Sequence, residues 1–425
     1  MKFNLLLFKR NFFIKILFIF CIFNIFYLNI FASVINKSYV DIDSPSAVVI
    51  DNASGRILYE KNAHEKRAMA SLTKIMTCIL LVENCNLDEQ IEVPAEATWQ
   101  GGSEVGLKKG DKVTAKALLY GMLLPSGNDC ACTVAIYLGN TIEGFAKIMN
   151  EKAQSIGAKD TNFVTPHGLD DPNHYSTAYD MSLITRYALQ NKYINEAVNT
   201  IQINMNFGSF SKLLTNTNAL LRKYSYIDGV KTGFTNNANR CLIASASQDD
   251  FRIITVILGA DTTEKRFNNA KTLIDETFKR YKLMDVSKYM NWYINVPVLK
   301  GNIKYFKKQV SLNTKLPLTQ EEYDNIYIKQ EVVPVINPPT IKGLEVAKIG
   351  LYIEDENIYS TSIYTDVNIN KNTILDYFKS GIIHMFDSVN NIWNILSKNI
   401  DKYYCVIYNY YKVRRCIYEK RIYIT

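Results

Sequence analysis

The chain has 425 residues, enough for two domains with additional terminal segments, and 48% of its residues are hydrophobic, which is sufficient for proper cores. Its net charge of +8 is modest and is spread along the sequence. The body of the sequence has neither a dense basic helix nor a glycine-rich RNA-binding signature, so the composition argues against a nucleic-acid partner.

The first 33 residues have the pattern of an export signal. Basic residues at positions 2, 9, 10 and 15 precede an apolar run from Ile16 to Ala32, which ends in small residues. This pattern predicts a secretory signal with cleavage after Ala32. The run is also long enough for a membrane-spanning anchor, and that interpretation stays open. Both interpretations predict that the remaining chain is exported.

The first chemical motif is Ser71-Leu72-Thr73-Lys74, at the start of an apolar helical run from Ile75 to Val82. A serine hydroxyl is a weak nucleophile at neutral pH and needs a base beside it. Residues three apart share one face of a helix, so Lys74 can reach the Ser71 oxygen. Lys74 is a base only when uncharged, and burial with a second nearby cation would lower its pKa. Alone, the motif equally fits an N-capping serine and a solvated lysine.

The second motif is Ser126-Gly127-Asn128, which follows a predicted hydrophobic helix, Ala115–Leu124. A hydroxyl and a carboxamide in such a tight loop can relay a proton and hold an amide group of a ligand. Alone, the motif equally fits a turn, because Ser, Gly and Asn are ordinary turn residues.

The third motif, Lys231-Thr232-Gly233, lies on a predicted strand, Ile227–Thr235. Two further strands, Cys241–Ser247 and Phe251–Leu258, complete a predicted antiparallel meander. Gly233 would let a ligand backbone approach the strand edge, where Lys231 and Thr232 would meet a carboxylate. Lys231 would also be the second cation that lowers the pKa of Lys74. Alone, the motif fits a solvated lysine beside a glycine bulge.

The C-terminal third changes character after Leu283, where short alternations of Val, Ile and Tyr replace the helical pattern. They predict a small β-rich domain over residues 286–366. Residues 370–400 then predict an amphipathic helix that lies in a membrane interface, or alternatively packs on the β-rich domain. Its apolar stripe comprises Leu375, Phe378, Ile382, Phe386, Val389, Trp393, Leu396 and Ile400. The basic, tyrosine-rich tail of residues 401–425 has no assigned role.

With the three motifs in this order, the chain resembles the penicillin-binding serine acyltransferases, and among them the low-molecular-mass D-alanyl-D-alanine carboxypeptidases. The resemblance covers roughly residues 40–365 and extends to segments around the motifs, including Leu123–Asp129, Thr165–Leu169 and Asp228–Thr235. It implies an α+β fold. A transpeptidase domain of the penicillin-binding and β-lactamase type, an antiparallel sheet flanked by helices, would occupy residues 40–285, followed by a small β domain and an amphipathic C-terminal helix.

The resemblance implies a serine-type carboxypeptidase that removes the terminal D-alanine from peptidoglycan stem peptides and is acylated by β-lactams. Ser71 would be the acylated nucleophile and Lys74 its general base. Ser126 and Asn128 would complete the proton network and hold the substrate amide. The implied partners are therefore stem peptides, β-lactams and a membrane surface at the outer face of the cytoplasmic membrane. No metal or cofactor is implied.

The same resemblance implies how the substrate is bound. The backbone N–H groups of Ser71 and Phe234 would form the oxyanion hole, a device that contributes about 3–4 kcal/mol per donor in acyl chemistry. The pocket for the terminal carboxylate would involve four residues: Lys231, Thr232, Gly233 and Arg266.

Two other functions remain open from the sequence. A β-lactamase shares the three motifs, although the Glu-x-x-Leu-Asn segment that class A enzymes use for deacylation does not occur in this sequence. A non-catalytic envelope-binding or penicillin-sensing protein would also keep the site. Rapid turnover of a penicillin would favour the first alternative, and an intact site that failed to acylate would favour the second.

Overall fold

The structure, a computed structural model, describes residues 39–421 apart from residue 312; for residue 401 and residues 403–421 it describes the backbone alone. The predicted signal at residues 1–33 lies outside this described part. Two compact units are present. The first comprises the described residues up to Met284 together with Lys315–Tyr323, and the second comprises Asp285–Thr314 together with the chain from Asp324 onward.

The first unit is built on a five-stranded antiparallel sheet. The strands up to residue 285 are β1 (Ser46–Asp51), β2 (Ile57–Lys61), β3 (Gln90–Glu92), β4 (Lys112–Thr114), β5 (Gln202–Asn206), β6 (Ser211–Thr215), β7 (Ile227–Thr235), β8 (Asn239–Gln248), β9 (Phe251–Ala260) and β10 (Lys282–Asp285). The sheet has the order β2-β1-β9-β8-β7, so β7 is an edge strand. The pairs β3–β4 and β5–β6 form two small ribbons.

Eight helices accompany these strands in the described residues up to 284: α1 (Lys74–Asn84), α2 (Ala115–Leu123), α3 (Asn128–Gly139), α4 (Ile142–Ile156), α5 (Ala178–Ala188), α6 (Lys192–Asn199), α7 (Leu220–Lys223) and α8 (Thr263–Arg280). Threonine side chains cap α2, α4, α5 and α8 by accepting a backbone N–H of the first turn. The residues of α1 from Lys74 to Leu81 are all buried, as expected for a helix that is apolar on every side.

Both faces of the five-stranded sheet are buried, which explains why its central strands are apolar at nearly every position. Val48 and Ile50 of β1 belong to the core that contains α1. Ala47 and Val49 belong to a second core on the other face, which α8 covers. Because alternate residues of a strand point to opposite sides, burial of both faces requires apolar side chains throughout.

Most of the remaining β structure lies in the second unit. The strands after residue 285 are β11 (Asn291–Pro297), β12 (Tyr305–Ser311), β13 (Lys315–Leu318), β14 (Tyr327–Val332), β15 (Glu345–Ile353) and β16 (Glu356–Tyr364). β11 pairs with β12, and β14, β15 and β16 form a three-stranded antiparallel sheet. β13 belongs to the first unit and pairs with β10. A short helix, α9 (Gln320–Asp324), precedes β14.

The last element is a long helix, α10 (Ile374–Arg421). Nearly all side chains over residues 374–400 are exposed, so this stretch does not pack on the β strands of the second unit. The described residues contain no helix that is both long and apolar enough to cross a membrane. The flanked antiparallel sheet, the C-terminal β strands and the long helix confirm the predicted α+β fold class. The predicted meander is likewise confirmed, since β7, β8 and β9 are consecutive antiparallel neighbours.

Candidate active site

Ser71 and Lys74 meet at the junction of a short 3₁₀ turn and α1. The sequence predicted Ser71 in the first turn of an α-helix, but Ala70–Thr73 form a 3₁₀ turn and the α-helix begins at Lys74. Residues three apart eclipse one another in a 3₁₀ turn, which aligns these two side chains. Lys74 Nζ lies 2.9 Å from Ser71 Oγ.

Three oxygen atoms surround the Lys74 amine. Its Nζ donates to Asn128 Oδ1 at 2.7 Å and to the His167 carbonyl oxygen at 2.9 Å. Asn128 Nδ2 donates to the Gly101 carbonyl at 2.6 Å, which fixes the orientation of the amide and leaves only its oxygen facing Lys74. A neutral amine has two N–H groups and one lone pair. Nζ also donates to Ser71 Oγ, so these three acceptors suit an ammonium as well. Once the amine is uncharged, Asn128 and His167 satisfy its two N–H groups and its lone pair can take the Ser71 proton.

The electrostatics favour the uncharged form of the amine. The Lys74 side chain is fully buried, and this burial, with the positive charge of Lys231, holds its pKa well below the ordinary value. Burial also lowers the pKa of Lys231 to about 7, with a smaller contribution from the Arg266 guanidinium. The first and third motifs thus each supply a buried lysine, and the charge of Lys231 acts on the pKa of Lys74.

Ser126 and Asn128 bracket the start of α3. Ser126 has a backbone φ of 71°, an uncommon conformation for a residue other than glycine, and its side chain is buried. Its Oγ has no hydrogen-bond partner among the described residues. A buried hydroxyl normally has a partner, so this one is available to a ligand or to a transferred proton.

The strand β7 presents Lys231, Thr232 and Gly233 along its free edge. A Cβ added to Gly233 would lie 3.0 Å from the Met69 carbonyl and 3.2 Å from the Ser71 nitrogen, so this glycine permits the strand to run against the Ser71 turn. Thr232 Oγ1 is 2.7 Å from Thr217 Oγ1. The structure thus brings the third motif next to the first.

Arg266 and Phe234 occupy different positions relative to this edge. The Arg266 side chain is only 8% exposed, and its guanidinium donates to the carbonyl oxygens of Gly233 at 3.3 Å and Cys241 at 3.5 Å. In this structure it therefore supports the backbone of β7 and β8. Phe234, by contrast, is 52% exposed and carries the Arg240 guanidinium 4.7 Å above its ring.

Two histidines fix the loop that carries the Lys74 acceptor. His174 Nδ1 accepts from the backbone N–H of Val164 and Thr165, so Nε2 holds the proton and donates to Thr73 Oγ1 at 2.8 Å. Burial lowers the pKa of His174 to about 4 and that of His167 to about 3, and both rings are therefore neutral near pH 7. These contacts join residues 164–169 to the Ser71 turn.

Gly168 is the closest contact between this loop and the Ser71 turn. It has a φ of +87°, and a Cβ added there would lie 2.0 Å from the Ala70 carbonyl oxygen. We expect Gly168→Ala to lower the free energy of unfolding by about 2–4 kcal/mol, because the turn must shift to relieve the overlap, and to slow acylation of Ser71. Chemical denaturation and labelling with a fluorescent penicillin measure the two effects.

Gly110→Ala is the matched control for Gly168→Ala. Gly110 has a similar φ of +84°, but nothing lies within 4 Å of the Cβ that alanine would add. Only the cost of left-handed backbone, about 1–2 kcal/mol, is expected there, with acylation unchanged. Equal losses of stability and activity in the two variants would show that steric contact with Ala70 is unimportant.

Sequence reasoning missed the loop that holds Asn128. Residues 101–103 contact Asn128 on two sides, since its Nδ2 donates to Gly101 and its backbone N–H donates to the Ser103 carbonyl at 2.7 Å. The neighbouring Asp129 carboxylate accepts the backbone N–H groups of Val105, Gly106 and Leu107. The Gly-Gly-Ser sequence marks this loop as a turn, but nothing in it indicates which side chain the turn would hold.

Known proteins share both this sequence and this fold. The profile of a family described as D-alanyl-D-alanine carboxypeptidase matches residues 33–262. The D-alanyl-D-alanine carboxypeptidase DacF of Bacillus subtilis is 32% identical over 348 residues, which cover 79% of this chain and 88% of the relative. DacC of Escherichia coli is 30% identical over 347 residues, 77% of this chain and 84% of the relative.

The solved structures give the same result. Penicillin binding protein 5 from Haemophilus influenzae superposes with a TM-score of 0.69 at 25% identity, covering 79% of this chain and 99% of that one. A point mutant of the Streptomyces K15 DD-transpeptidase superposes with a TM-score of 0.54 at 30% identity, over 56% of this chain and 99% of that one. The matched family profile covers more than half of the chain, including all three motifs. The chain therefore belongs to the D-alanyl-D-alanine carboxypeptidase family, peptidase family S11, and is a serine-type D-Ala-D-Ala carboxypeptidase.

Proposed function

We propose that this carboxypeptidase removes the terminal D-alanine of peptidoglycan stem peptides through an acyl-enzyme on Ser71. The observation that supports this most directly is the placement of Lys74 Nζ 2.9 Å from Ser71 Oγ, with two acceptor oxygens for its N–H groups. A serine in such contact with a buried, uncharged amine is an activated nucleophile.

In the acylation step, Ser71 Oγ attacks the carbonyl carbon between the last two D-alanines while its proton passes to Lys74 Nζ. The negative charge that develops on the carbonyl oxygen is accepted by the backbone N–H groups of Ser71 and Phe234. The close approach of Gly233 to the Ser71 nitrogen supports this pairing. The C–N bond then breaks, and the departing amine takes a proton through Ser126, whose hydroxyl has no partner among the described side chains and backbone groups.

The carboxylate of the departing D-alanine is bound along β7. In this proposal Lys231 supplies the positive charge and Thr232 a hydroxyl donor, while Gly233 leaves room for the substrate backbone. Arg266 acts through the carbonyl of Gly233, which it binds, and through its charge near Lys231. Asn128 holds the substrate amide and keeps Lys74 in position.

Deacylation uses the same groups in the reverse sense. Water attacks the Ser71 ester while Lys74 accepts its proton. The bond to Ser71 Oγ then breaks, the proton returns from Lys74 to Oγ, and the shortened peptide leaves as the carboxylic acid. A β-lactam presents a strained cyclic amide in the place of the D-Ala-D-Ala amide. When its C–N bond breaks, the amine stays tethered to the acyl group instead of leaving as D-alanine does. The resulting ester on Ser71 is therefore hydrolysed slowly. Stem peptides and β-lactams are thus the two ligands we assign to this site.

The proposal is tested by locating the acyl group. After incubation with a fluorescent penicillin, we expect one adduct per chain by intact mass, and peptide mapping should assign it to Ser71. A peptide that ends in D-Ala-D-Ala should release one equivalent of D-alanine per cleavage and compete with the label. An adduct on another residue would contradict the assignment of Ser71, and rapid turnover of the penicillin would instead favour a β-lactamase.

We also propose that the protein is exported and attaches to a membrane surface through residues 374–400 of α10. Apolar side chains there are exposed along the helix, including Phe378, Phe386 and Trp393, all more than 60% exposed. A long exposed helix with such side chains is typical of segments that lie in the interface of a bilayer. Co-sedimentation with anionic vesicles tests this, and loss of binding is expected in a Phe386→Asp/Trp393→Asp variant.

A further inference from the structure

Three loops form one end of the second unit, and we call residues 297–304, 336–345 and 364–373 together the loop end. Four backbone hydrogen bonds of 2.8–2.9 Å join these loops to one another: Asn372 N to Lys300 O, Asn302 N to Asn370 O, Thr340 N to Ile369 O and Gly343 N to Thr365 O. The three loops of the loop end are therefore joined through their backbones.

Aliphatic side chains lie on both sides of this connected backbone. Ile336 and Ile369 are at most 1% exposed and form its interior. Four others point to solvent, with exposed fractions of 79% for Ile341, 55% for Leu299, 48% for Val367 and 40% for Leu344. One exposed aliphatic residue is ordinary, but four on three connected loops make this end of the unit a candidate contact surface.

The charges around these aliphatic residues favour an anionic partner. The loop end contains four lysines, at positions 300, 304, 342 and 371, and two acidic residues, Glu345 and Asp366. The Asp366 carboxylate lies 3.4 Å from the Lys308 ammonium, which offsets its charge. Two tyrosines at the border of the loop end, Tyr305 and Tyr364, are about half exposed at 50% and 48%. Exposed apolar residues, lysines and tyrosines are the residue types that protein surfaces present to the interface of an anionic bilayer.

The loop end continues directly into α10. The helix begins at Ile374, two residues after Asn372, and its first residues Ile374 and Leu375 are 77% and 71% exposed. The apolar surface of the loops and the start of the apolar helix are therefore adjacent in the chain. A partner that covers the beginning of the helix also meets the loops.

We propose that the loop end is a second membrane-contact site, in which the aliphatic tips enter the headgroup region of an anionic bilayer and the lysines bind lipid phosphates. This inference deepens the membrane attachment proposed for α10 and rests on it. It also orients the second unit. The hairpin β15–β16 runs away from the loop end for nine residues, about 30 Å, so its far turn at Glu354 and Asp355 lies in solvent.

The two ends of this hairpin provide a matched pair of reporters. In the full chain, Ile341→Trp introduces tryptophan at the loop end and Asp355→Trp introduces it at the far turn. Tryptophan fluorescence is then measured with vesicles of equal phosphatidylglycerol and phosphatidylcholine whose acyl chains are brominated, because bromine quenches a tryptophan that enters the bilayer. The native Trp99, Trp292 and Trp393 contribute equally to both variants. We expect bromine to quench the added emission at least twofold for Ile341→Trp and to leave that of Asp355→Trp unchanged.

The outcomes separate this inference from the proposals on which it builds. Equal quenching of both reporters, or of neither, on protein that co-sediments with the vesicles overturns the loop contact and leaves the attachment by α10 intact. Absence of co-sedimentation overturns both membrane proposals. If quenching of the Ile341→Trp variant is undiminished in vesicles of phosphatidylcholine alone, the proposed binding of anionic lipid by the lysines is overturned. Release of D-alanine from a soluble peptide should be unchanged in both variants, so the proposed catalytic role is tested separately.

Discussion

Replacing Lys74 with alanine is expected to slow acylation of Ser71 about 10³-fold, which corresponds to about 4 kcal/mol of transition-state stabilisation. The amine is the only base within hydrogen-bond distance of Ser71 Oγ among the described residues. Without it, the hydroxyl proton has no acceptor when the oxygen attacks. The rate of labelling by a fluorescent penicillin, followed by intact mass under single-turnover conditions, measures the loss.

Lys74→Arg is the decisive companion variant. A guanidinium keeps the positive charge and the hydrogen-bond donors of lysine, but it does not lose its proton in proteins. If Lys74 acts as an uncharged base, the arginine variant should acylate as slowly as Lys74→Ala. If the lysine served only as a fixed cation, the arginine variant would retain most of the wild-type rate, and that result would falsify the assignment of a general base.

Ser71→Ala and Lys61→Ala set the two limits of this comparison. Ser71→Ala removes the nucleophile and defines the labelling rate without an acyl-enzyme. Lys61 lies on β2, where its ammonium contacts the Ile42 carbonyl and lies 3.4 Å from Asp41, so its removal should leave acylation unchanged. Circular dichroism and thermal unfolding of each variant establish that the comparison is between folded proteins.

The sequence predicted the elements whose patterns are local. The strand predicted over Ile227–Thr235 has the same bounds in the structure, where the five residues from Gly229 to Gly233 are all buried. The contact between Ser71 and Lys74 was also predicted, since any helical turn places residues three apart on one side. The helical stripe of residues 370–400 was predicted correctly, but its regular spacing did not show that the helix continues to Arg421.

Other features depend on packing that a single sequence does not express. The 3₁₀ turn at Ala70–Thr73 packs against Gly168, where the absence of a side chain leaves room for the Ala70 carbonyl. Gly168 and Ala70 are far apart in the sequence, so no local pattern indicates this contact. The contacts of Gly101 and Ser103 with Asn128 have the same cause. For Arg266, the resemblance implied a place in the pocket for the terminal carboxylate, and nothing in the sequence indicated its hydrogen bonds to the backbone. Its burial and its hydrogen bonds to two strand carbonyls depend on how α8 packs on the sheet.

The dependence of kcat/KM on pH is expected to be bell-shaped, with Lys231 responsible for the alkaline limb. Its pKa is lowered from 10.5 to about 7, so in the free enzyme its charge is lost as the pH rises through 7. In the proposed mechanism, binding of the terminal carboxylate needs that charge, and kcat/KM for a D-Ala-D-Ala peptide should therefore fall on the alkaline side. Lys74 must be uncharged, so the acid side falls as the pH drops through its own lowered pKa. A profile of kcat/KM against pH tests both limits, and a flat alkaline side would contradict the role of Lys231.

Lys231→Met should lower kcat/KM for the peptide by about 10²–10³-fold while making the protein more stable. Native Lys231 is fully buried, so below pH 7 the folded protein carries a cation that is better solvated in the unfolded chain. Between its native pKa of about 7 and its ordinary value of 10.5, the unfolded state binds more protons, and wild-type stability rises with pH. The variant lacks this titration. Its gain in the free energy of unfolding should be largest near pH 6, on the order of 4 kcal/mol, and should shrink toward pH 10.

Denaturant unfolding of wild type and Lys231→Met at pH 6 and pH 9 measures this gain, and Lys212→Met provides the control. Lys212 donates to the Val105 carbonyl from an exposed position on β6, so its removal should not produce a stability difference that changes with pH. A pH-independent effect of Lys231→Met would mean that the lysine is not forced to carry its charge in the buried site. The expected pattern would instead show that the buried charge costs stability, and the proposed binding of the substrate carboxylate gives a reason for the fold to retain it.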